Sequence, residues 1–250
     1  MRHPFLIASL ACALSSTTMA DTIGFEVGAY GWQQNFSGSV ASDSIDVIDI
    51  EKDLGYDDET SNVFYALVEH PLPLIPNVRI QKTDLNLSAT GSTDLNFGGI
   101  TYTGAVRSSI DLSHTDFTLY YELLDNWVSL DVGLTARYIA DGSVEITDIQ
   151  AGSPTFGEKA SFDADGVLPL LYVSARFELP LTGLYVGANI NGLGVNDDSV
   201  IDYRINVGYE TAIGFGVEAG FRSFELDYDD DDDKADLTID GAYAGIFYHF

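Results

Sequence analysis

The chain is poor in three things that stabilise or identify many exported and nucleic-acid-binding proteins. It has a single cysteine, Cys12, so no internal disulfide framework can form. Only 11 lysines and arginines stand against 39 aspartates and glutamates, a formal net charge of −28 over 250 residues. A surface so acidic repels phosphate backbones, which excludes DNA or RNA as a partner. No stretch supplies the roughly 18 uninterrupted apolar residues of a membrane-crossing helix. There is no HExxH, no cysteine-based metal site and no glycine-rich phosphate loop between a strand and a helix. What remains is a composition that folds, 46% hydrophobic and 12% aromatic.

Residues 1–20 stand apart. A basic start, MRHPF, leads into the apolar run LIASLACAL and then SSTTMA, the layout of a secretory signal peptide cleaved before Asp21. The alternative, a lipoprotein box at SLAC ending on Cys12, has a very short apolar run and Ser9 where leucine is usual. Cleavage removes Cys12, so residues 21–250 form a cysteine-free exported domain.

That domain reads at period two. Alternating segments of about ten residues fall at 22–32, 61–70, 77–87, 106–122, 127–138, 170–179, 184–193, 200–210, 213–222 and 237–250. In 127–138, Val128, Leu130, Val132, Leu134, Ala136 and Tyr138 oppose Ser129, Asp131, Gly133, Thr135 and Arg137. The connections alternate in length: 71–76, 123–126, 180–183 and 211–212 are short, while 33–60, 88–105, 139–167 and 227–236 are long, with 195–199 a short exception. This pattern predicts an all-β, antiparallel, up-and-down transmembrane β-barrel in the outer membrane of a Gram-negative bacterium. Ten strands are expected, with eight as the alternative. An even number places both termini at the short-turn, periplasmic rim and the long acidic loops outside the cell.

The competing architecture is a soluble β-sandwich, whose polar face meets water and carries free lysines. Here the polar face carries glycines, arginines and acids instead. In a barrel, Glu26, Arg79, Asp131, Arg137, Arg176, Glu178, Arg204, Glu210, Glu218 and Arg222 face one another as a lumenal charge network, and their mixed signs offset the cost of burial. Aromatics at segment ends, Tyr30, Trp32, Trp127, Tyr138, Tyr209 and Tyr248, are expected near the membrane interfaces.

The chain ends on GAYAGIFYHF, without a polar trailer. Tyr243, Ile246, Tyr248 and Phe250 resemble the terminal signal that the barrel assembly machinery of bacterial outer membranes recognises. With KDLGYDDETSN (52–62) and EHPLPLIPNVRI (69–80), this end also resembles a small family of outer-membrane β-barrel proteins of marine gammaproteobacteria. The resemblance implies fold and location, and brings no catalytic or ligand-binding residue with it. Three prolines in 71–76 imply a rigid turn.

Three local features bear on function. The run 227–237 includes Asp229, Asp230, Asp231, Asp232 and Asp233, weak candidates for Ca²⁺ or Mg²⁺, but it lacks EF-hand spacing and reads first as a hydrated, flexible loop. The acidic run 46–59 places Val47, Ile50 and Leu54 at the spacing of a short amphipathic helix over the barrel mouth. His114 shares a strand face with Asp116 while Ser113 points away, so a lumenal hydrogen-bond network is a better reading than a hydrolytic triad. The expected role is therefore structural or surface-interacting, with outer-membrane lipid and lipopolysaccharide as partners and acidic loops bridged by cations. A narrow, porin-like channel is the alternative, and a lipid-modifying or proteolytic barrel enzyme a more remote one.

Overall fold

The computed structural model describes residues 23–42, 47–72, 74–196, 198–230 and 233–250; the expected leader 1–20 and Cys12 lie outside the described residues. Ten strands make a closed antiparallel barrel: β1 (Gly24–Ser42), β3 (Glu59–Glu69), β4 (Asn77–Thr83), β9 (His114–Leu124), β10 (Val128–Ile139), β13 (Gly166–Glu178), β14 (Leu184–Val195), β15 (Asp198–Glu210), β16 (Phe215–Asp230) and β17 (Asp233–His249). Each pairs with the next in chain order, and β17 returns to β1 in a ladder running from Glu26↔His249 to Ser42↔Asp233. Closure leaves no barrel edge with unpaired backbone groups, which is why alternation runs to the last residues. Phe250 completes the seam: its N–H donates to Phe25 O at 2.8 Å, and Phe25 N–H donates to Phe250 O at 2.9 Å. No helix occurs among the described residues.

Alternation decides what each wall residue meets. Phe64, Phe117, Leu134, Leu171, Ile205 and Val217 project outward and stay exposed on the isolated chain. Their neighbours point into the lumen.

Two of the expected strands are each two elements. Segment 77–87 splits into β4 and β5 (Asn86–Thr93), and 106–122 splits into β8 (Gly104–Asp111) and β9. The two segments leave the barrel side by side. Leu112 N–H donates to Leu85 O at 2.8 Å, Leu85 N–H donates to Ser113 Oγ at 2.9 Å, and Ser113 N–H donates to Asp111 Oδ1 at 2.9 Å. Beyond this bend β5 and β8 join β11 (Ser143–Asp148) and β12 (Lys159–Asp163) in a four-stranded sheet of order β12-β11-β8-β5. The expected loops 88–105 and 139–167 thus contain the strands of this sheet, with a small ribbon of β6 (Asn96–Phe97) and β7 (Ile100–Thr101) between β5 and β8.

The described part of the run 46–59, residues 47–59, forms no amphipathic helix. Ile48–Asp49 form β2 against Ser39 and Val40 of β1. A turn then carries Ile50 and Leu54 into the core, and Gly55 ends it at φ 75°, a conformation that glycine adopts without strain. Val47, expected on the apolar face, is exposed. The flexible acidic loop expected at 227–236 is also corrected. Here β16 and β17 run on as a ladder pairing Asp227 with Asp236, Asp229 with Lys234 and Asp230 with Asp233.

Candidate functional site

The lumen divides into three layers, taken from the distal rim, where the long connections lie, to the rim bearing the termini. The first is apolar. Ile48, Ile50 and Leu54 from the β2 turn, Leu87, Ile110 and Ile146 from the four-stranded sheet, and Phe36, Phe224 and Ile239 from the distal ends of the barrel strands are buried in one continuous cluster. Tyr102 pins the sheet from beneath, its hydroxyl donating to Ile146 O at 3.0 Å and accepting from Ala160 N–H at 3.1 Å. The distal mouth is therefore closed by a packed core rather than by loose loops.

Beneath that core lies a buried ion cluster. Arg137 on β10 donates to both oxygens of Asp116 on β9 at 2.8 Å each, and its Nη2 also donates to Asp202 Oδ2 on β15 at 2.6 Å. Arg222 on β16 forks the same Asp202 at 2.9 and 2.7 Å, and its Nη1 reaches Tyr30 Oη at 3.2 Å and Thr83 Oγ1 at 3.3 Å. The Arg222 guanidinium sits 4.5 Å from the centre of the Trp32 ring, which is 0% exposed. Two guanidinium groups share two carboxylates here, with the bidentate geometry that makes burial of ions tolerable. Thr118, Thr135 and Asn191 continue the polar layer through 2.7 Å hydrogen bonds. Side chains from β1, β4, β9, β10, β15 and β16 meet at this level and fill the bore.

Below the ion cluster a cavity of about 300 Å³ opens toward the rim that carries both termini. Three arginines line it, each over an aromatic face: Arg79 over Tyr65 at 4.5 Å, Arg176 over Tyr185 at 3.7 Å, and Arg204 over Tyr30 at 5.2 Å and Tyr243 at 5.7 Å. Arg176 pairs with Glu178 at 3.2 Å and with Glu210 at 2.9 Å, and His249 Nδ1 lies 3.3 Å from Glu210. Glu218 accepts from Asn206 at 3.0 Å and from Tyr185 at 3.3 Å. Glu26, Asp131 and Glu69 complete the lining, with Tyr120 donating to Glu69 at 2.8 Å.

The ten residues read as a lumenal charge network are thus divided by the fold. Arg137 and Arg222 form the plug, while Glu26, Arg79, Asp131, Arg176, Glu178, Arg204, Glu210 and Glu218 line the cavity. The carboxylates of the plug, Asp116 and Asp202, were not among them. Their signal was faint: Asp202 sits two residues before Arg204 on one strand face, and Asp116 two after His114. Which arginine each would meet depends on cross-strand register, which alternation leaves open. Tyr30 and Trp32, expected at the membrane interface, are instead buried inside the barrel, because their strand positions share the inward face with Glu26. Trp127, Tyr138, Tyr209 and Tyr248 are exposed. At the C-terminus Ile246, Tyr248 and Phe250 are exposed, while Tyr243 is lumenal.

His114 Nδ1 donates to Leu112 O, 2.8 Å away, and its Nε2 has no partner. Ligand atoms of His114, Asp116 and Asp202 lie within 4.8 Å of one another, the geometry of a small metal site. Both carboxylates are already held by Arg137 and Arg222, so a cation there must displace two guanidinium groups. Of the acidic-run candidates, Asp229 pairs with Lys234 at 2.7 Å. Asp231 and Asp232 lie outside the described residues, as do the side chains of Asp230 and Asp233.

One further carboxylate lies outside the barrel wall. Asp148, at the end of β11, accepts from Ser153 Oγ at 2.6 Å, Thr155 Oγ1 at 2.7 Å and Gln150 N–H at 2.7 Å. These donors favour the charged form and hold the carboxyl below its ordinary value of 3.8.

No protein-family model matches the sequence, and no curated protein matches it. Solved structures do match. Outer membrane protease OmpT from Escherichia coli aligns with a TM-score of 0.53 and 12% identity, covering 93% of this chain and 98% of that one. An outer membrane channel from Pseudomonas putida F1 aligns at 0.42 with 13% identity, covering 92% and 97%. Ail, the attachment invasion locus protein of Yersinia pestis, aligns at 0.35 with 13% identity, covering 91% and 99%. At such identities the first likeness shows the barrel fold alone.

Proposed function

We propose that this chain is an outer-membrane β-barrel of a Gram-negative bacterium, exported by a cleaved leader, with a structural or surface-interaction role. The observation that carries this reading is the double occlusion of the bore. An ion cluster whose Arg137 and Arg222 side chains are 1% exposed lies beneath an apolar core roofed by a four-stranded sheet. A barrel closed twice over offers solutes no continuous water path, while the roof offers a firm surface at one end. The outward girdle of Phe, Leu, Ile and Val suits a hydrocarbon environment, where charged outward residues would cost about 2–4 kcal/mol each at the midplane.

In this reading the rim with the termini is periplasmic and the roof is extracellular. The family resemblance to outer-membrane barrels of marine gammaproteobacteria agrees with that placement. Tyr243, Ile246, Tyr248 and Phe250 act as the signal for the barrel assembly machinery. The acidic outer segments contact lipopolysaccharide through bridging Ca²⁺ or Mg²⁺, hard cations that link two anionic surfaces. The narrow-channel alternative requires the Arg137–Asp202–Arg222 cluster to move. The enzyme alternative requires access to His114, which is 4% exposed and beside two arginines.

Planar-bilayer recording of the purified, folded protein tests the choice. Silence above the lipid background is expected. Discrete, reproducible conductance steps would replace the structural role with a channel, and full extraction from cells without detergent would remove the membrane assignment.

A further inference from the structure

The proximal cavity has two electrically distinct sides. Asp131, on β10, is the cross-strand partner of Glu122 on β9, and with Glu69 these acids have no lysine, arginine or histidine within 4.0 Å among the described residues. Oδ1 of Asp131 is buried without a hydrogen-bond partner. From Asp131 a single row of cross-strand partners crosses the wall: Asp131↔Ser174, Ser174↔Asn189, Asn189↔Arg204. All four line the cavity. Arg204 is only 9% exposed, yet its Nη1 lacks a hydrogen-bond partner, the nearest carboxylate oxygen being Glu218 Oε1 at 3.9 Å. Its Nε is used, donating to Asn189 Oδ1 at 3.2 Å, so the group is held in place with the two N–H donors of Nη1 spare.

A buried donor without an acceptor and a buried acceptor without a donor are each costly. Here the two occur in one cavity, three strands apart, or about 14 Å along the wall at the usual strand spacing. Both side chains lean inward from that arc, and the polar groups of Ser174 and Asn189 lie between them. We infer that this cavity binds a small dipolar organic solute, its ammonium group at Asp131 and Glu122 and its carboxylate at Arg204. A simple cation would leave the Arg204 Nη1 donors unused, and a simple anion would meet three acids that lack a salt-bridge partner.

The test compares three solutes with the same five-carbon backbone: 5-aminovalerate, carrying both charges, cadaverine, carrying two ammonium groups, and glutarate, carrying two carboxylates. Each is offered, radiolabelled, to the detergent-folded full mature barrel in equilibrium dialysis, with heat-modifiable migration on gels as the folding control. Saturable binding of 5-aminovalerate is expected, at least tenfold tighter than that of either homologue. It should weaken at least tenfold in Asp131→Asn and in Arg204→Gln. Absence of saturable 5-aminovalerate binding overturns the inference, as does equal or tighter binding of cadaverine or glutarate. If Arg204→Gln fails to fold, Asp131→Asn decides alone, and undiminished affinity there also overturns it. None of these outcomes depends on conductance or on surface contacts, so the site stands or falls separately from the structural role.

Discussion

Arg137 on β10 forks Asp116 on the neighbouring strand β9, Nε to Oδ1 and Nη2 to Oδ2, with both contacts at 2.8 Å. Arg137 and Asp116 are also paired in the strand ladder, so the side-chain fork repeats a backbone register. What takes the pair beyond its own hairpin is Asp202, which lies on a strand three places away and accepts from both Arg137 and Arg222. The cluster therefore ties opposite walls of the barrel together.

Asp202→Ala should expose how much depends on that carboxylate. Removing it leaves Arg222 with only the hydroxyls of Tyr30 and Thr83, and leaves Arg137 with Asp116 alone. Uncompensated buried charge of this kind costs about 3–5 kcal/mol. Urea unfolding in lipid vesicles should show that loss. A variant as stable as the parent would mean the arginines find water, and that the bore is wetter than its packing implies.

Gly208→Ala should be harmful despite its small size. The added Cβ would lie 2.2 Å from Cζ of Tyr185, the cross-strand partner of Gly208. Tyr185 has little freedom to retreat, because Arg176 sits 3.7 Å from its ring centre and its hydroxyl donates to Glu218. Overpacking costs about 1–3 kcal/mol, and the double variant with Tyr185→Ala should recover part of it. Equal destabilisation in single and double variants would show that the ring is not the obstacle.

Acid should loosen the segment after β11. Asp148 has a folded value held below 3.8 by its hydroxyl and amide donors, so its contribution is present above that value and lost as pH falls through the folded one. Hydrogen exchange of amides 150–158 should be slow at pH 5 and accelerate, beyond the intrinsic pH effect, below about pH 3.8. In Asp148→Asn the pH dependence should disappear. Protection unchanged down to pH 2 in the parent would remove the carboxylate from the account.

Deleting Phe250 should impair assembly. Its backbone makes the last two hydrogen bonds of the seam, and its ring stacks on Phe25 with centroids 5.6 Å apart. The amount of heat-modifiable protein in the outer-membrane fraction should fall several-fold, while Phe250→Tyr should retain most of it. Normal assembly of the deletion would leave the terminal aromatic as packing alone.

Much of the wall is legible in the sequence. Val128 to Tyr138 alternate as cleanly in sequence as on the barrel, because a strand's side chains switch faces at every residue whatever the strand pairs with. The same alternation turns Asp131, Arg204 and Glu218 inward. The roof was not readable. In segments 77–87 and 106–122 the apolar positions change phase at the bends, from Val78 and Ile80 to Leu85 and Leu87 and from Ile110 and Leu112 to Phe117 and Leu119, but a phase change marks a break and not which strands the outer halves will join. Trp32 and Tyr30 were misplaced because bulky aromatics suit both an interface and a filled lumen, and only the inward phase they share with Glu26 separates the two.

Alternation and the count of alternating segments are local or additive properties, and they specify an antiparallel up-and-down barrel. Pairing across the bore is different in kind. That Asp202 lies between Arg137 and Arg222, that Ile48 and Ile146 share one core, and that Asp131 and Arg204 end one row of partners all depend on register summed over several ladders. A one-residue slip anywhere in such a sum would undo each of them. Those contacts close the bore and leave a charged cavity below it, and they exist only once the sheet has met itself.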